Sequence, residues 1–285
     1  MIELPEAYVL AKQLNETVAG RTIVEAEANQ SPHGFAFYNQ PVEMYNALLA
    51  GQTIVASQPG AARSCTCGGN VDIVCTDKMI VISTPIRYIA PGGKLPAKHQ
   101  LRLLLDDGAS ITCTVQMWGA MLVCEKDGTG TPAEWYTDKD MPGLYAEAFD
   151  YTYFKSMAEG KGGLSAKAFL ATEQRIPGLG NGVLQDILYN ARIHPRTRLD
   201  SLSETQFKGL YDSTKATTAA MRDEGGRDTE KDIFWNAGGY KTKLSAKTKD
   251  SYCQICGGPI VREAYLGGNV YFCPTCQPYS KAKSK

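Results

Sequence analysis

Cys253-Gln254-Ile255-Cys256, sixteen residues, then Cys273-Pro274-Thr275-Cys276: this stretch decides how the chain is read. Each Cys-X-X-Cys pair can hold a metal from a tight turn, and the span between the pairs suits one hairpin. Four thiolates complete a tetrahedral shell with no position left open for chemistry. The expected cofactor is therefore one structural Zn2+ on Cys253, Cys256, Cys273 and Cys276. A pair of disulfides or a redox couple are the alternatives, but no basic-then-apolar leader and no strand–helix–strand pattern accompanies them. Between the pairs, Gly257-Gly258-Pro259-Ile260-Val261-Arg262 and Gly267-Gly268-Asn269-Val270-Tyr271-Phe272 are two β-prone runs meeting at a glycine turn, the outline of a hairpin finger. The chain is neutral overall, with 30 Lys and Arg against 30 Asp and Glu, yet residues 227–285 hold ten basic and five acidic residues. Such an asymmetry fits a phosphate contact at one end of the molecule, or a solvated surface with a flexible tail over 279–285.

Working outward, 285 residues suit two compact domains plus a small finger. No apolar run approaches the length of a membrane span, and the expected compartment is the cytosol. The nine cysteines then read as thiols and metal ligands. Cys65 and Cys67 beside Gly68-Gly69, and Cys75, Cys113 and Cys124, are read as packing or incidental thiols.

Residues 1–125 open with a helical stripe over 5–18, then turn to short β-rich runs at 22–24, 35–38, 71–74, 79–82, 101–105 and 111–115, with a helical segment at 41–50. Asp106-Asp107-Gly108 is a hairpin turn between the last two runs. Residues 126–144 read as a linker. Residues 145–249 are helical at 145–158, 165–175, 181–191 and 203–222, and the glycine-rich, polar segment 225–239 is expected to be a mobile loop. The finger occupies 250–278.

Two of these helices flank Ile176-Pro177-Gly178-Leu179-Gly180-Asn181-Gly182. Unpaired N–H groups at the start of a helix make an anion site, glycine lets a phosphate approach, and Asn181 adds a donor or caps the helix. Alone, such a turn is more often plain structure. Together with the finger and the opening Met1-Ile2-Glu3-Leu4-Pro5-Glu6, it resembles the formamidopyrimidine-DNA glycosylase and endonuclease VIII family, whose opening is Met followed by Pro-Glu-Leu-Pro-Glu. The resemblance covers nearly the whole chain. It implies an N-terminal two-layer antiparallel β-sandwich with flanking helices, a helix–two-turns–helix domain with the zinc finger, and duplex DNA in the cleft between them. It also implies a monomer whose N-terminal amine attacks C1′ of a flipped, damaged nucleotide through a Schiff base.

The departures fall on chemistry. Ile2 stands where the family has its nucleophilic proline, so only a primary amine is on offer, with a pKa of roughly 8. Ile2 is bulky, so Met1 is expected to be retained, which lengthens the chain at the nucleophile by up to about 3.5 Å. Asn70 falls where the family places an active-site lysine, and Gly268 where the finger carries an arginine. The resemblance assigns acid/base work to Glu3, with Glu6 beside it. It gives Gly178, Gly180, Asn181 and Arg262 to DNA contact, and Met117, Trp118 and Tyr88 to the wedge that fills the gap left by a flipped base. A core tryptophan is the equal alternative for Trp118. The functional expectation is a base-excision glycosylase or abasic-site lyase with weakened catalysis. The rivals are a homologue that binds lesions without cutting them and a finger module that binds RNA or protein.

Overall fold

The computed structural model describes residues 2–60, 69–130 and 141–279. Helix α1, Leu4–Val18, presents Leu10, Leu14 and Val18 on one face, and these pack into the first core. Two sheets sandwich that core. One has the order β1–β7–β8–β6, from β1 (Ile23–Ala28), β6 (Ile86–Ile89), β7 (Leu101–Leu105) and β8 (Ser110–Cys113). The other runs β2–β9–β5–β4–β3, from β2 (Ala36–Phe37), β3 (Ile54–Pro59), β4 (Val71–Cys75), β5 (Lys78–Ile82) and β9 (Gly119–Glu125). Pairing is antiparallel except for β2 with β9. Asp106-Asp107-Gly108 does turn β7 into β8, with Gly108 at φ +83. Helix α2, Tyr45–Leu49, covers β1 through Tyr45 and Leu49.

Strands β3, β6 and β9 lie outside the expected runs. β9 is a central strand buried on both faces up to Glu125, so it has no alternation to betray it.

The second half is helical: α3 (Tyr151–Ser156), α4 (Ala166–Ala171), α5 (Asn181–Asn190) and α6 (Glu204–Asp223). Asp150 and Ser165 cap α3 and α4, and α6 starts in a capping box of Ser203 and Gln206. Their core gathers Phe149, Phe154, Phe169, Leu184 and Ile187. Leu4 joins this core while Ile2, two residues earlier, joins that of the sandwich. The first turn of α1 therefore stitches the two domains together. The finger hairpin is β10 (Val261–Tyr265) paired with β11 (Gly268–Phe272). Cys65 and Cys67 lie outside the described residues, as do Met1, most of the expected linker and the last residues of the tail. No described helix is long and apolar enough to cross a membrane.

Candidate functional site at the domain junction

Glu3 ends the extended N-terminal segment, and its side chain reaches across to the start of α5. The carboxylate accepts from the N–H groups of Gly180 at 3.2 Å, Gly182 at 2.9 Å and Val183 at 2.8 Å. A negative charge there complements the positive end of the helix dipole. The glycines of the turn make room for this contact. A Cβ on Gly180 would lie 2.7 Å from Glu3 Cδ, and one on Gly182 would lie 1.9 Å from Arg227 Nη1. Gly178, at φ +78, would meet Leu4 Cβ at 3.1 Å, and its carbonyl accepts from the Leu4 N–H at 2.7 Å. This corrects the expected phosphate cradle: the anion at this helix start is the protein's own carboxylate. Nor does Asn181 cap the helix. It is exposed, and its Nδ2 donates to the Asn269 carbonyl of the finger at 3.1 Å.

Arg227 lies behind Glu3, 2% exposed, and grips Glu6 with Nε to Oε1 at 2.9 Å and Nη2 to Oε2 at 2.8 Å. The Arg227 N–H also donates to Glu6 Oε1 at 3.1 Å, and Nη1 stands 3.6 Å from Glu3. Burial alone pushes the guanidinium pKa down, but Glu3 and Glu6 outweigh it and hold the group above its ordinary value. Glu6, expected beside the catalytic acid, is thus half of a buried ion pair. Glu230 is 3.9 Å from Arg227, and burial pushes its carboxyl up while Arg227 pulls it down.

The segment expected as a mobile loop is folded. Lys231 bridges to Ala237, the Asp232 N–H donates to the Asn236 carbonyl at 2.9 Å, and Asp232 Oδ1 accepts from the Phe234 and Asn236 N–H groups. The tip of this small hairpin inserts into the sandwich, where Ile233 is fully buried. Gln13 Oε1 accepts from the Ile233 N–H at 3.2 Å, and the Ile233 carbonyl accepts from the Tyr88 N–H at 2.8 Å. Phe234 packs edge-on against Tyr88, and Arg87 lies over Trp235. Tyr88, expected in the wedge, is therefore committed to holding the hairpin. The glycines here serve close backbone crossing: a Cβ on Gly238 would lie 2.2 Å from the Gly226 carbonyl oxygen.

Ile2 is 3% exposed and borders a small cleft of about 60 Å³. Glu6, Gln116, Glu230, Lys231 and Trp235 are among its walls. The start of β4 abuts the same segment: a Cβ on Gly69, at φ +110, would lie 2.8 Å from the Ile2 carbonyl oxygen. Asn70 follows, fully buried, with Nδ2 donating to Asp72 at 2.6 Å. An amide thus sits beside the N-terminal segment where the resemblance implies an amine.

Just beyond Gln116, Met117 is 73% exposed and Trp118 partly so. Trp118 is therefore not a core residue. With Phe35 and Phe37, both exposed, the pair lines an apolar concavity of about 490 Å³. Sequence reasoning missed the two phenylalanines. Their signal was an apolar residue on the outward side of a short edge strand.

The sulfurs of Cys253, Cys256, Cys273 and Cys276 all lie within 4.8 Å of one another, a set able to hold a metal ion. The Cys253–Cys276 separation is 3.7 Å. A tetrahedron with metal–sulfur bonds near 2.3 Å has edges of about 3.8 Å, so the donors fit. Tyr189 Oη lies 3.2 Å from Cys253 Sγ. Gln277 ties the cluster to the helical domain, accepting from the Cys273 N–H at 3.0 Å and donating to the Ile193 carbonyl at 2.9 Å. In the hairpin, Arg262 Nε donates to Asn269 Oδ1 at 3.0 Å. Gln185 brackets the same strand, donating to the Asn269 carbonyl and accepting from the Tyr271 N–H, each at 3.1 Å. Arg262, Asn269 and Asn181 form one polar patch where finger meets turn.

A β-sandwich joined through its first helix to a glycine-turn helical domain with a four-cysteine hairpin defines a class of two-domain protein, and the comparisons supply its relatives. A formamidopyrimidine-DNA glycosylase of Rhodococcus erythropolis is 25% identical over 298 residues, covering 99% of each chain. One from Streptococcus thermophilus is 26% identical over 289 residues, covering 97% of this chain and 99% of its own. The Lactococcus lactis protein, solved with abasic-site DNA, superposes with a TM-score of 0.78 at 20% identity, covering 97% of this chain and all of its own. The Thermus thermophilus protein gives 0.76 at 19% identity, covering 98% of this chain. No family model matches the sequence. The chain is a divergent relative of the formamidopyrimidine-DNA glycosylases and shares their fold.

Proposed function

We propose that this protein is a DNA-repair glycosylase or abasic-site lyase that binds duplex DNA at a damaged base or abasic site, with one structural zinc and attenuated strand cleavage. The observation that carries the reading is the convergence at Ile2–Glu3. The N-terminal segment, the glycine turn and the start of β4 come from distant parts of the sequence and meet in direct contact there. Relatives named formamidopyrimidine-DNA glycosylase, and solved neighbours bound to abasic-site DNA, support DNA as the partner. So do exposed Asn181 and Met117, partly exposed Trp118 and the basic C-terminal end. The thiolate set fits zinc by donor type and spacing.

Attenuation follows from what surrounds the expected nucleophile. Ile2 offers at best a primary amine, and Asn70 cannot serve as a cationic acid. Three of the roughly four acceptor sites of the Glu3 carboxylate are already taken by backbone N–H groups. The test is borohydride trapping on an abasic-site duplex. Slow trapping that depends on a protein amine is expected, and an unreactive protein that still binds the duplex would replace the enzyme by a non-cutting binder. Burial of Ile2 and Asn70 favours that second reading.

Asn181→Ala is expected to weaken damaged and undamaged duplexes by the same factor, because a phosphate contact carries no sequence information. One lost hydrogen bond is worth about 1 kcal/mol, or roughly fivefold in affinity. Fluorescence anisotropy at fixed salt reads it, and selective loss on the damaged duplex would contradict the assignment.

A further inference from the structure

Among the described walls of the cleft beside Ile2, Lys231 is the one residue carrying an amine side chain. Its backbone is fixed by the bridge to Ala237, and the next two residues are anchored by Gln13 and Tyr88. Lys231 itself is exposed and makes no ion pair with any described residue. Glu230 lines the same cleft. The Arg227–Glu6 lock and the buried Ile233 thus fix the backbone that carries this amine beside the site where Ile2 stands in place of the expected proline.

We infer that Lys231 supplies the amine that condenses with the aldehyde of an abasic site in this protein. The inference rests on the reading of the protein as one that binds abasic-site DNA. The neutral Nζ attacks C1′ of the ring-opened sugar, and the carbinolamine loses water to give an imine. Loss of a C2′ proton then sends the C–H electron pair into a C2′–C3′ double bond as the C3′–O bond breaks and the 3′-phosphate departs. Hydrolysis of the imine returns the lysine. A proton must leave Nζ first, and in this inference it passes, through one water, to the Glu230 carboxylate on the wall of the same cleft. Burial raises the proton affinity of that carboxyl above the ordinary carboxylate range, with Arg227 opposing it.

The test is borohydride reduction of full-length protein on an abasic-site duplex, followed by proteolysis and tandem mass spectrometry to locate the reduced adduct. The expected adduct is on Lys231. Lys231→Arg, which keeps the charge but cannot form the imine, should lose at least tenfold in trapping rate while its affinity for a tetrahydrofuran abasic analogue stays within twofold. Trapping at full rate in Lys231→Arg, or an adduct on the N-terminal residue, overturns the inference and leaves the repair reading intact. A wild-type protein that binds the analogue but yields no adduct also overturns it, in favour of a non-cutting binder. Absence of binding to abasic-site DNA overturns the underlying reading as well.

Discussion

Arg227→Ala is expected to lower folding stability by about 3–5 kcal/mol, because it leaves Glu6 and Glu3 buried without their counter-charge. In a chain of this size that loss shifts Tm by about 10 °C. The effect should be large because the guanidinium joins three segments. It holds Glu6 on α1 bidentately, stands 3.6 Å from the carboxylate that caps α5, and starts the hairpin that enters the sandwich. Arg227→Lys should recover only part of the loss, since an ammonium cannot reproduce the two-pronged geometry. Urea denaturation of both variants reads this. A change in Arg227→Ala below about 1 kcal/mol, the range of an exposed pair, would show that the cluster is not a structural lock.

Cys256→Ser should release the metal and unfold the finger. The intervening hairpin buries little beyond Ile260, Val270, Tyr271 and Phe272, so the bond set supplies most of its folding energy, on the order of 10 kcal/mol or more for four-ligand zinc sites. Asn269, which accepts from Asn181 and Gln185, would lose its position, and affinity for DNA should drop at least tenfold. Elemental analysis should find one zinc per wild-type chain and almost none in the variant. Wild-type protein purified without chelator and free of zinc would contradict the assignment.

Much of the fold was legible because its signals are local. The cysteine spacing, the stripe of α1, the Asp-Gly turn and the glycine turn each announce themselves within a few residues. The resemblance then supplied the architecture that no periodicity could. Strand β9 was hidden because burial on both faces removes alternation. The segment over 225–239 was misread because glycine has two uses: it loosens a solvated loop, and it permits tight backbone crossing in a packed one. Gly238 and Gly239 do the second, crossing the backbone of Gly226 and Glu224. Ile233-Phe234-Trp235 was the available clue, an apolar triplet in an otherwise polar segment, and Ile233 turns out to be an anchor in the other domain. The site was legible in its parts, not in their pairing. Glu3 and the glycine turn were both singled out, but nothing in sequence separates a helix start that awaits a phosphate from one already holding a carboxylate 177 residues away.

The central claim, that this junction serves recognition of damaged DNA, is tested most directly by equilibrium binding to two duplexes of one sequence. One carries a single tetrahydrofuran abasic analogue, and both are measured at the same moderate salt. The account predicts tighter binding to the abasic duplex by at least tenfold, with both affinities falling as salt rises. Equal affinity for the two duplexes, or no binding to either, would contradict it.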